Sequence, residues 1–323
     1  MKRSWICRDY KSGDEYQILA LFQKAFGKEI DIAFWRWRFA QNPSGKGIIK
    51  LLFDEKKLIG HYAVIPVNVQ VEDKLVKAVL SMTTMTHPDY RGQGIFTYLA
   101  EETYGLCKKK GFLFVYGFPN KNSYYGFTSK LGWQGQGKMT LLQKELEPKA
   151  KKDLSTREVK QIEHFDNGID SLWNKVKRNH TVIVQRTQEF LNWRFARNPN
   201  VDYRKYLISS NSGDIEGYIV LKIYVAGDMT IGHIVDILSV ADEEVVKILL
   251  QHSYNYFLEQ GVSYISCWIP RNSYYYGLLE KEGFTTKETE TYFGIKILEN
   301  DASLESVSQH SNWFLTMGDS DVF

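Results

Sequence analysis

The chain contains an internal duplication, and this limits its possible folds more than any other feature of the sequence. Residues 34–43 read FWRWRFAQNP and residues 190–199 read FLNWRFARNP, with seven of ten positions identical. Residues 119–126 (PNKNSYYG) return in the same order at residues 270–277 (PRNSYYYG). The two spacings, 156 and 151 residues, are far longer than the period of a solenoid. The sequence therefore predicts two whole domains of related fold.

Length and local composition place the division between these domains near the middle of the chain. The 323 residues suffice for two ordinary domains. The segment at 145–160 is polar, carries a proline and is expected to contain the boundary. We accordingly assign residues 1–147 to the first domain and residues 148–323 to the second.

Each repeat has the pattern of a mixed α and β domain. Apolar residues at helical spacing predict a helix over residues 14–26. Runs of β-branched and apolar residues separated by charged turns predict antiparallel strands at 48–53, 59–71 and 75–86. A second amphipathic helix is expected to begin at Ile95 and to be followed by a buried strand. The predicted fold class is thus α/β, with a mixed sheet flanked by helices in each domain.

Composition restricts the partners and the compartment. Three cysteines far apart in the sequence favour neither disulfides nor a thiolate metal site, so we expect no metal and a reducing environment. The sequence has no apolar run of about 18 residues and no leader-like start, which predicts a cytoplasmic protein that does not insert into a membrane. The net charge of +3 is too small to favour a nucleic-acid partner.

A glycine loop at residues 86–96 (THPDYRGQGIF) lies between a predicted strand and a predicted helix. Glycines permit backbone conformations and close approaches that a Cβ would prevent. The backbone N–H groups of such a loop, together with the helix dipole, favour binding of a phosphate or pyrophosphate. The second repeat has VADEEV at 240–245 instead, with carboxylates and no glycine, which would repel such an anion. We therefore expect one anion site per chain, in the first repeat.

The loop from Thr86 to Ile95, together with the KLGW segment at 130–133, resembles the GNAT superfamily of acyl-CoA-dependent N-acyltransferases. This resemblance implies two tandem domains, each with a twisted mixed sheet that splays open to hold CoA. It also implies acyl-CoA as co-substrate, with pantetheine on the backbone near Met85 and the diphosphate on the glycine loop. The residues that we assign to acyl-CoA are Met85, Thr86, Arg91, Gly92, Gln93, Gly94, Ile95, Phe96 and Asn122.

The sequence departs from the family pattern at two positions. Phe96 stands where the loop usually has a small residue, which affects the last contact expected for the diphosphate. Family members often carry a tyrosine that protonates the leaving thiolate, and the corresponding residue here is Thr128. Tyr124 and Tyr125 are the nearest replacements for that acid.

Candidates for the catalytic base come from the second repeat. His233 and Asp236 interrupt an otherwise apolar strand, and a buried carboxylate needs a partner or a task. The alternative for Asp236 is a hydrogen-bonded structural role, and water could relay the proton instead of any side chain. His61 is assigned to packing, because it corresponds to Tyr218 in the second repeat.

Three segments, WRWRF at 35–39, FPNKNSY at 118–124 and WFLTMGDSD at 313–321, carry a narrower resemblance. In them the chain resembles tandem GNAT enzymes that acylate nucleotide-linked amino sugars in bacterial surface-polysaccharide (O-antigen or capsule) biosynthesis. That resemblance implies a small-molecule acceptor such as a dTDP-linked 3-amino-3,6-dideoxyhexose, attacked directly in a ternary complex. Trp35 and Arg36, which the second repeat lacks, are candidate acceptor ligands, as are Asn120 and Lys121. Two alternatives stay open: an acetyltransferase acting on an aminoglycoside or protein amine, and a non-catalytic regulator that binds acyl-CoA.

Overall fold

Contacts divide the chain into two units that interleave along the sequence. The computed structural model describes residues 5–147, 157–227, 229–299, 301 and 304–323. Unit 1 comprises Met1–Val69, Leu75–Gly137 and Thr291–Ser308, and unit 2 comprises Gln70–Lys74, Lys138–Glu290 and Gln309–Phe323. The division at residue 147 stays a prediction about the two repeats, and part of the predicted boundary segment lies outside the described residues.

The described residues of unit 1 form one mixed sheet and four α-helices. Its elements in chain order are β1 (Trp5–Asp9), α1 (Glu15–Phe26), α2 (Ile32–Phe39), β2 (Ile48–Asp54), β3 (Lys57–Val71), β4 (Lys74–Thr86), α3 (Ile95–Lys109), β5 (Phe114–Gly117), α4 (Lys121–Tyr125), β6 (Gln134–Lys138) and β15 (Tyr292–Ile297). A π-helical turn, Gly126–Lys130, extends α4. The predicted helices and strands of the first repeat are therefore confirmed.

Local sequence explains how the helices of unit 1 begin and end. The apolar face of α1 buries Ile18 and Leu21, and the helix ends at Gly27, whose φ of +68° suits a glycine. The apolar face of α3 buries Leu99 and Cys107 against the sheet. Lysines in its last turn are favourable at the negative end of the helix dipole.

The sheet of unit 1 has the strand order β1-β2-β3-β4-β5-β15-β6. β4 and β5 run parallel, but they pair only at Val79↔Val115 and Leu80↔Tyr116. Because β4 continues to Thr86, its last six residues have no partner on β5 and the two strands diverge. This opening and the flanking helices agree with the predicted class, a splayed mixed sheet between helices.

Unit 2 contains the second sheet. Its elements are β7 (Leu141–Glu145), β8 (Val159–Ile162), α5 (Gly168–Val176), β9 (Val182–Val184), α6 (Gln188–Leu191), β10 (Arg204–Ser209), β11 (Ile215–Ala226), β12 (Met229–Ser239), α7 (Glu243–Glu259), β13 (Tyr264–Trp268), α8 (Tyr274–Lys281), β14 (Thr285–Lys287) and β16 (Trp313–Phe314). The strand order is β14-β7-β13-β12-β11-β10-β8, with β12 and β13 parallel. Each of the two strand orders thus has one parallel pair among antiparallel strands, β4/β5 in the first and β12/β13 in the second. β9 and β16 are not part of the second sheet and form a further parallel pair with each other.

The repeats exchange one strand each. β7 belongs by sequence to the first repeat, yet it pairs with β13 and β14 in the sheet of unit 2. β15 belongs by sequence to the second repeat, yet it lies between β5 and β6 in the sheet of unit 1. Each sheet is therefore completed by a strand from the other repeat.

Candidate active site

Unit 1 contains a pocket of about 490 Å³ where β4 has separated from β5. It is formed by the end of β4, the glycine loop, the first turn of α3 and the α4 segment with its π-helical turn. The lining residues are Thr84, Thr86, Tyr90, Arg91, Gly92, Gly94, Ile95, Phe96, Thr97, Asn122, Ser123, Tyr125, Gly126, Phe127 and Lys130. A cavity of this size is within the range of small-molecule and cofactor sites.

The N-terminus of α3 is open toward this pocket. Gly94 is the N-cap with a φ of +77°, and no side chain caps the helix there. Gly92 also has a left-handed backbone, with a φ of +75°. The first N–H groups of a helix lack intrahelical acceptors, and the helix dipole adds partial positive charge at this end. This arrangement suits an anion such as a phosphate.

The charged side chains around the pocket have the same sign. Arg91 and Lys130 both line it, and the described lining residues include no carboxylate. The Arg91 guanidinium donates a hydrogen bond of 3.4 Å from Nη2 to the Ala25 carbonyl at the end of α1. Two cations and an uncapped helix N-terminus at one pocket give a site that suits an anionic ligand such as a diphosphate.

The corresponding helix of unit 2 is closed to anions. Asp242 caps α7, and its Oδ1 accepts hydrogen bonds from the N–H groups of Glu244 (2.8 Å) and Val245 (3.4 Å). Arg157 in turn forms ion pairs of 3.3 Å with Glu216 and Asp242. A carboxylate of the chain itself thus occupies the N–H groups that a phosphate would need, and its charge would repel one.

Most residues assigned to the cofactor lie at the pocket. Thr86, Arg91, Gly92, Gly94, Ile95, Phe96 and Asn122 line it, whereas Met85 is buried in β4 and Gln93 is exposed in the loop. The Phe96 ring points inward and packs against Phe127, with ring centroids 5.1 Å apart. The bulky side chain at this position is therefore accommodated by the interior.

The two candidate acids on α4 have different surroundings. Tyr125 lines the pocket and is 66 % exposed. Tyr124 is not among the lining residues, and its ring stacks on Tyr292 of β15 at a centroid distance of 4.2 Å. Thr128 donates its hydroxyl proton to the Tyr124 carbonyl at 3.0 Å. Of these groups, only Tyr125 is placed to reach a molecule in the pocket.

Asp236 lies in the interior of unit 2 and is fully paired. Its Oδ2 accepts from Arg186 Nε (2.9 Å) and the Tyr218 hydroxyl (2.8 Å), and its Oδ1 accepts from the Thr316 hydroxyl (2.8 Å). Arg186 also pairs with Asp319, and Coulombic attraction to the two carboxylates outweighs burial and raises the pKa of Arg186. This geometry favours the structural alternative for Asp236 over the role of base.

His233 also lies in the interior of unit 2. Its Nδ1 is 2.8 Å from the Ser266 hydroxyl, and its ring packs against Phe323. Burial, with a smaller contribution from Lys222, lowers the pKa of His233 to about 4. The imidazole is consequently neutral at physiological pH, and its surroundings account for it as part of the core.

The four candidate acceptor ligands lie in unit 1 but are not among the residues that line the pocket. Trp35 is 2 % exposed and packs against Tyr10 and Phe39, so its ring is not free to stack on a base. Asn120 caps α4 by accepting from two backbone N–H groups. Arg36 and Lys121 are exposed, as is Asn120.

Seven pocket residues were not assigned to the site from the sequence: Thr84, Tyr90, Thr97, Ser123, Gly126, Phe127 and Lys130. Lys130 is the most consequential, because it adds a second cation. It recurs as Lys281 in the second repeat, so a comparison of the two repeats does not mark it as a ligand.

The comparisons with known proteins agree with this geometry. Residues 7–135 match the family described as the acetyltransferase (GNAT) domain. No curated protein sequence matches the chain. None of the described helices is long and apolar enough to span a bilayer.

Solved structures resemble nearly the whole chain at low sequence identity. A conserved Enterococcus faecalis protein of unknown function, described as a probable N-acyltransferase, has a TM-score of 0.72 at 15% identity, over 92% of this chain and 73% of that one. A GCN5-related N-acetyltransferase from Anabaena variabilis gives 0.71 at 14%, over 91% and 73%. Saccharomyces cerevisiae N-myristoyltransferase with bound myristoyl-CoA gives 0.64 at 13%, over 93% and 84%.

Together these results support the predicted class, an acyl-CoA-dependent N-acyltransferase. At these identities the structural likeness establishes the fold, whereas the family match includes all the residues that line the pocket. Residues 7–135 thus match the GNAT acetyltransferase domain, and the chain as a whole shares its fold with proteins described as N-acyltransferases.

Proposed function

We propose that this protein transfers an acyl group from acyl-CoA to the amino group of a nucleotide-linked amino sugar. The observation that carries the acyl-CoA part is the pocket of unit 1, where an uncapped helix N-terminus meets Arg91 and Lys130. Arg91 and the N–H groups of the glycine loop would hold the diphosphate. Acyl-CoA would supply the activated thioester, which an amine attacks directly.

The chain's own residues would serve two needs of this reaction. The developing oxyanion needs a donor, and backbone N–H groups near the end of β4 are suited to that role. The departing thiolate needs a proton, and Tyr125 is the candidate acid whose side chain lines the pocket. Asp236 and His233 have no part in this proposal, because their interior contacts satisfy them.

The acceptor part of the proposal rests on sequence resemblance. The segment around Trp35 and Phe39 and the segment 118–124 resemble enzymes that acylate dTDP-linked amino sugars. In that setting the protein would act in the cytoplasm on a precursor of a surface polysaccharide. Arg36 and Lys121 are the exposed cations that could contact the nucleotide phosphates.

The direct test is thiol release from a panel of acyl-CoAs with a panel of dTDP- and UDP-linked amino sugars. We expect turnover with one acyl donor and one amino sugar, and competition by the free nucleotide. Turnover with an aminoglycoside or a peptide amine, without such competition, would replace the acceptor. Binding of acyl-CoA with no turnover for any amine would support the regulator instead.

Charge reversal in the loop tests the cofactor part separately. Arg91→Glu should weaken acyl-CoA binding at least about tenfold, because a cation beside the diphosphate becomes an anion. Arg271→Glu, the same change at an exposed arginine of unit 2, is the matched control and should leave binding unchanged. Equal affinities for the wild type and Arg91→Glu would refute this site.

A further inference from the structure

A strained backbone position lies inside β4, close to the pocket. Thr83 has a φ of +51°, in the left-handed region. The other described non-glycine residues with positive φ, Glu55 and Glu72, lie in the turns before and after β3. For a β-branched residue within a strand this conformation is an outlier, and such strain persists only where the surroundings enforce it.

The side chain that meets this position is His61 of β3. Its Nδ1 lies 2.8 Å from the Thr83 carbonyl oxygen, and the residue is 0 % exposed. A carbonyl oxygen only accepts, so Nδ1 carries the proton and donates it. Burial lowers the pKa of His61 to about 4, which keeps the ring neutral. Nε2 has no hydrogen-bond partner among the described residues, so the bond from Nδ1 is the one that orients the ring.

The strained residue immediately precedes the part of β4 that faces the pocket. Thr84 and Thr86 both line it, and β4 has already separated from β5 after Leu80. Without a neighbouring strand on that side, the backbone direction of 84–86 depends on the other contacts of β4. The Thr83 carbonyl is one of those contacts.

Unit 2 has a related contact without the strain. Tyr218 follows Gly217 as His61 follows Gly60, and its hydroxyl donates to the Asp236 side chain on the next strand. The described residues of β12 include no left-handed position, and the α7 terminus is capped by Asp242. The left-handed residue thus occurs in the unit whose helix N-terminus is open.

We propose that His61 is a positioning residue for the acyl-CoA pocket, acting through its hydrogen bond to the Thr83 carbonyl. The bond holds the left-handed conformation of Thr83, and this conformation sets the direction of the Thr84–Thr86 backbone along the pocket. The inference rests on the proposed function, because it takes acyl-CoA as the molecule that this backbone meets.

The test compares two variants that lose the same ring. In His61→Asn the amide nitrogen can lie where Nδ1 lies and donate to the Thr83 carbonyl oxygen. The leucine of His61→Leu has a volume similar to that of histidine but no hydrogen-bond donor. Both variants should lower the melting temperature. Acyl-CoA affinity should stay within about threefold of the wild type for His61→Asn and fall about tenfold for His61→Leu, the loss expected for one buried hydrogen bond.

A second substitution separates positioning from general stability. Thr83→Gly removes the cost of the left-handed backbone, so the double variant His61→Leu/Thr83→Gly should regain most of the lost affinity while its melting temperature stays low. Equal affinity for His61→Asn and His61→Leu would overturn the proposal, as would a double variant no better than His61→Leu. His61→Leu alone could fail to fold. In that case, a double variant that folds but does not bind acyl-CoA with most of the wild-type affinity would overturn the proposal as well.

Binding by the wild-type protein shows whether the proposed function or only the positioning role of His61 has failed. If the wild-type protein does not bind acyl-CoA in the same titration, the proposed function fails and His61 has no such ligand to serve. If the wild type binds and the His61 variants bind equally well, the function stands and the positioning role is wrong.

Discussion

Arg186 and Asp236 form the most consequential charged contact of unit 2. Arg186 is 1 % exposed and Asp236 is 1 % exposed, and the arginine also pairs with Asp319. Removing one partner of a buried pair leaves the other charge without compensation, which is far more costly than losing an exposed pair. We therefore expect these residues to stabilise unit 2, and an effect on stability can be measured separately from an effect on catalysis.

Asp236→Asn should lower the free energy of unfolding by about 3–5 kcal/mol, because the Arg186 charge loses a partner in the interior. Urea unfolding followed by circular dichroism measures this. Asp202→Asn is the control, since Asp202 pairs with Arg204 at the surface and is 76 % exposed, and its loss should change stability by about 0–1 kcal/mol. If Asp236 were the catalytic base, the folded variant would lose about 10²–10⁴-fold in kcat, and we expect no such loss.

Buried neutral histidines give stability a pH dependence of known sign. The pKa of His61, His180 and His233 is lowered to about 4 by burial, below the ordinary 6.5. Between these values the unfolded chain binds protons that the folded chain does not. The free energy of unfolding should therefore fall as the pH drops from 6.5 toward 4, by up to about 1.4 kcal/mol per pH unit for each histidine.

Urea unfolding at several pH values across this window measures that dependence. His233→Leu, which removes one of the three groups, should give a shallower fall than the wild type. An unchanged slope in that variant would mean that His233 is as easily protonated in the folded chain as in the unfolded one.

At the scale of elements, glycines at the two ends of α3 allow an effect on ligand binding to be distinguished from an effect on stability. Gly94 at its N-terminus and Gly111 beyond its C-terminus both have a φ of +77°, and an added Cβ would meet no atom within 4 Å at either position. Alanine at either site should therefore destabilise the protein similarly, by about 1–2 kcal/mol. Only Gly94→Ala should also weaken acyl-CoA binding, by about tenfold or more, because Gly94 lines the pocket at the uncapped helix N-terminus and Gly111 does not.

Titration calorimetry and thermal unfolding on the same two variants test this. A loss of affinity in Gly111→Ala equal to that in Gly94→Ala would show that the effect comes from helix stability and not from the anion site.

The elements around the pocket could be predicted because their signals are local. The apolar spacing of α1, the strand runs of β2 to β4 and the glycines before α3 all act within a few residues. The orientation of neighbouring side chains could not be predicted. Tyr124 and Tyr125 lie about 100° apart around a short helix, and only packing on Tyr292 decides which of them faces the pocket.

Contacts with residues distant in sequence explain why two candidate site residues lie in the interior instead of at the pocket. Trp35 is absent from the second repeat, which made it a candidate for stacking on a base. Its ring packs against Tyr10 and Phe39, so a long-range contact with the residue after β1 makes it part of the core. Asp236 was open between a structural role and catalysis, and partners from distant segments, Arg186 and Thr316, favour the structural role.

At the scale of the whole molecule, the duplication could be predicted and the strand exchange could not. Repeated segments are visible in a single sequence, whereas the partner of a strand depends on tertiary packing that short apolar runs do not specify. β7 and β15 are two such short strands, and each pairs with strands of the other repeat.

The exchange predicts that neither half of the sequence folds alone. Residues 1–147 lack β15, which lies between β5 and β6, and residues 148–323 lack β7, which lies between β13 and β14. Each fragment would expose unpaired strand edges, so we expect aggregation or loss of cooperative unfolding. Sedimentation and circular dichroism of the separate fragments measure this, and a monomeric fragment with a sharp transition would contradict the role of the exchanged strands.

The central claim is that the chain has one acyl-CoA site, at the α3 N-terminus of unit 1. Titration of the full-length protein with an acyl-CoA, followed by calorimetry, tests it most directly. We predict one equivalent bound per chain in the wild type and in Asp242→Ala, with binding weakened at least about tenfold in Arg91→Glu. Two equivalents per chain, or a full equivalent bound with unchanged affinity by Arg91→Glu, would contradict the claim.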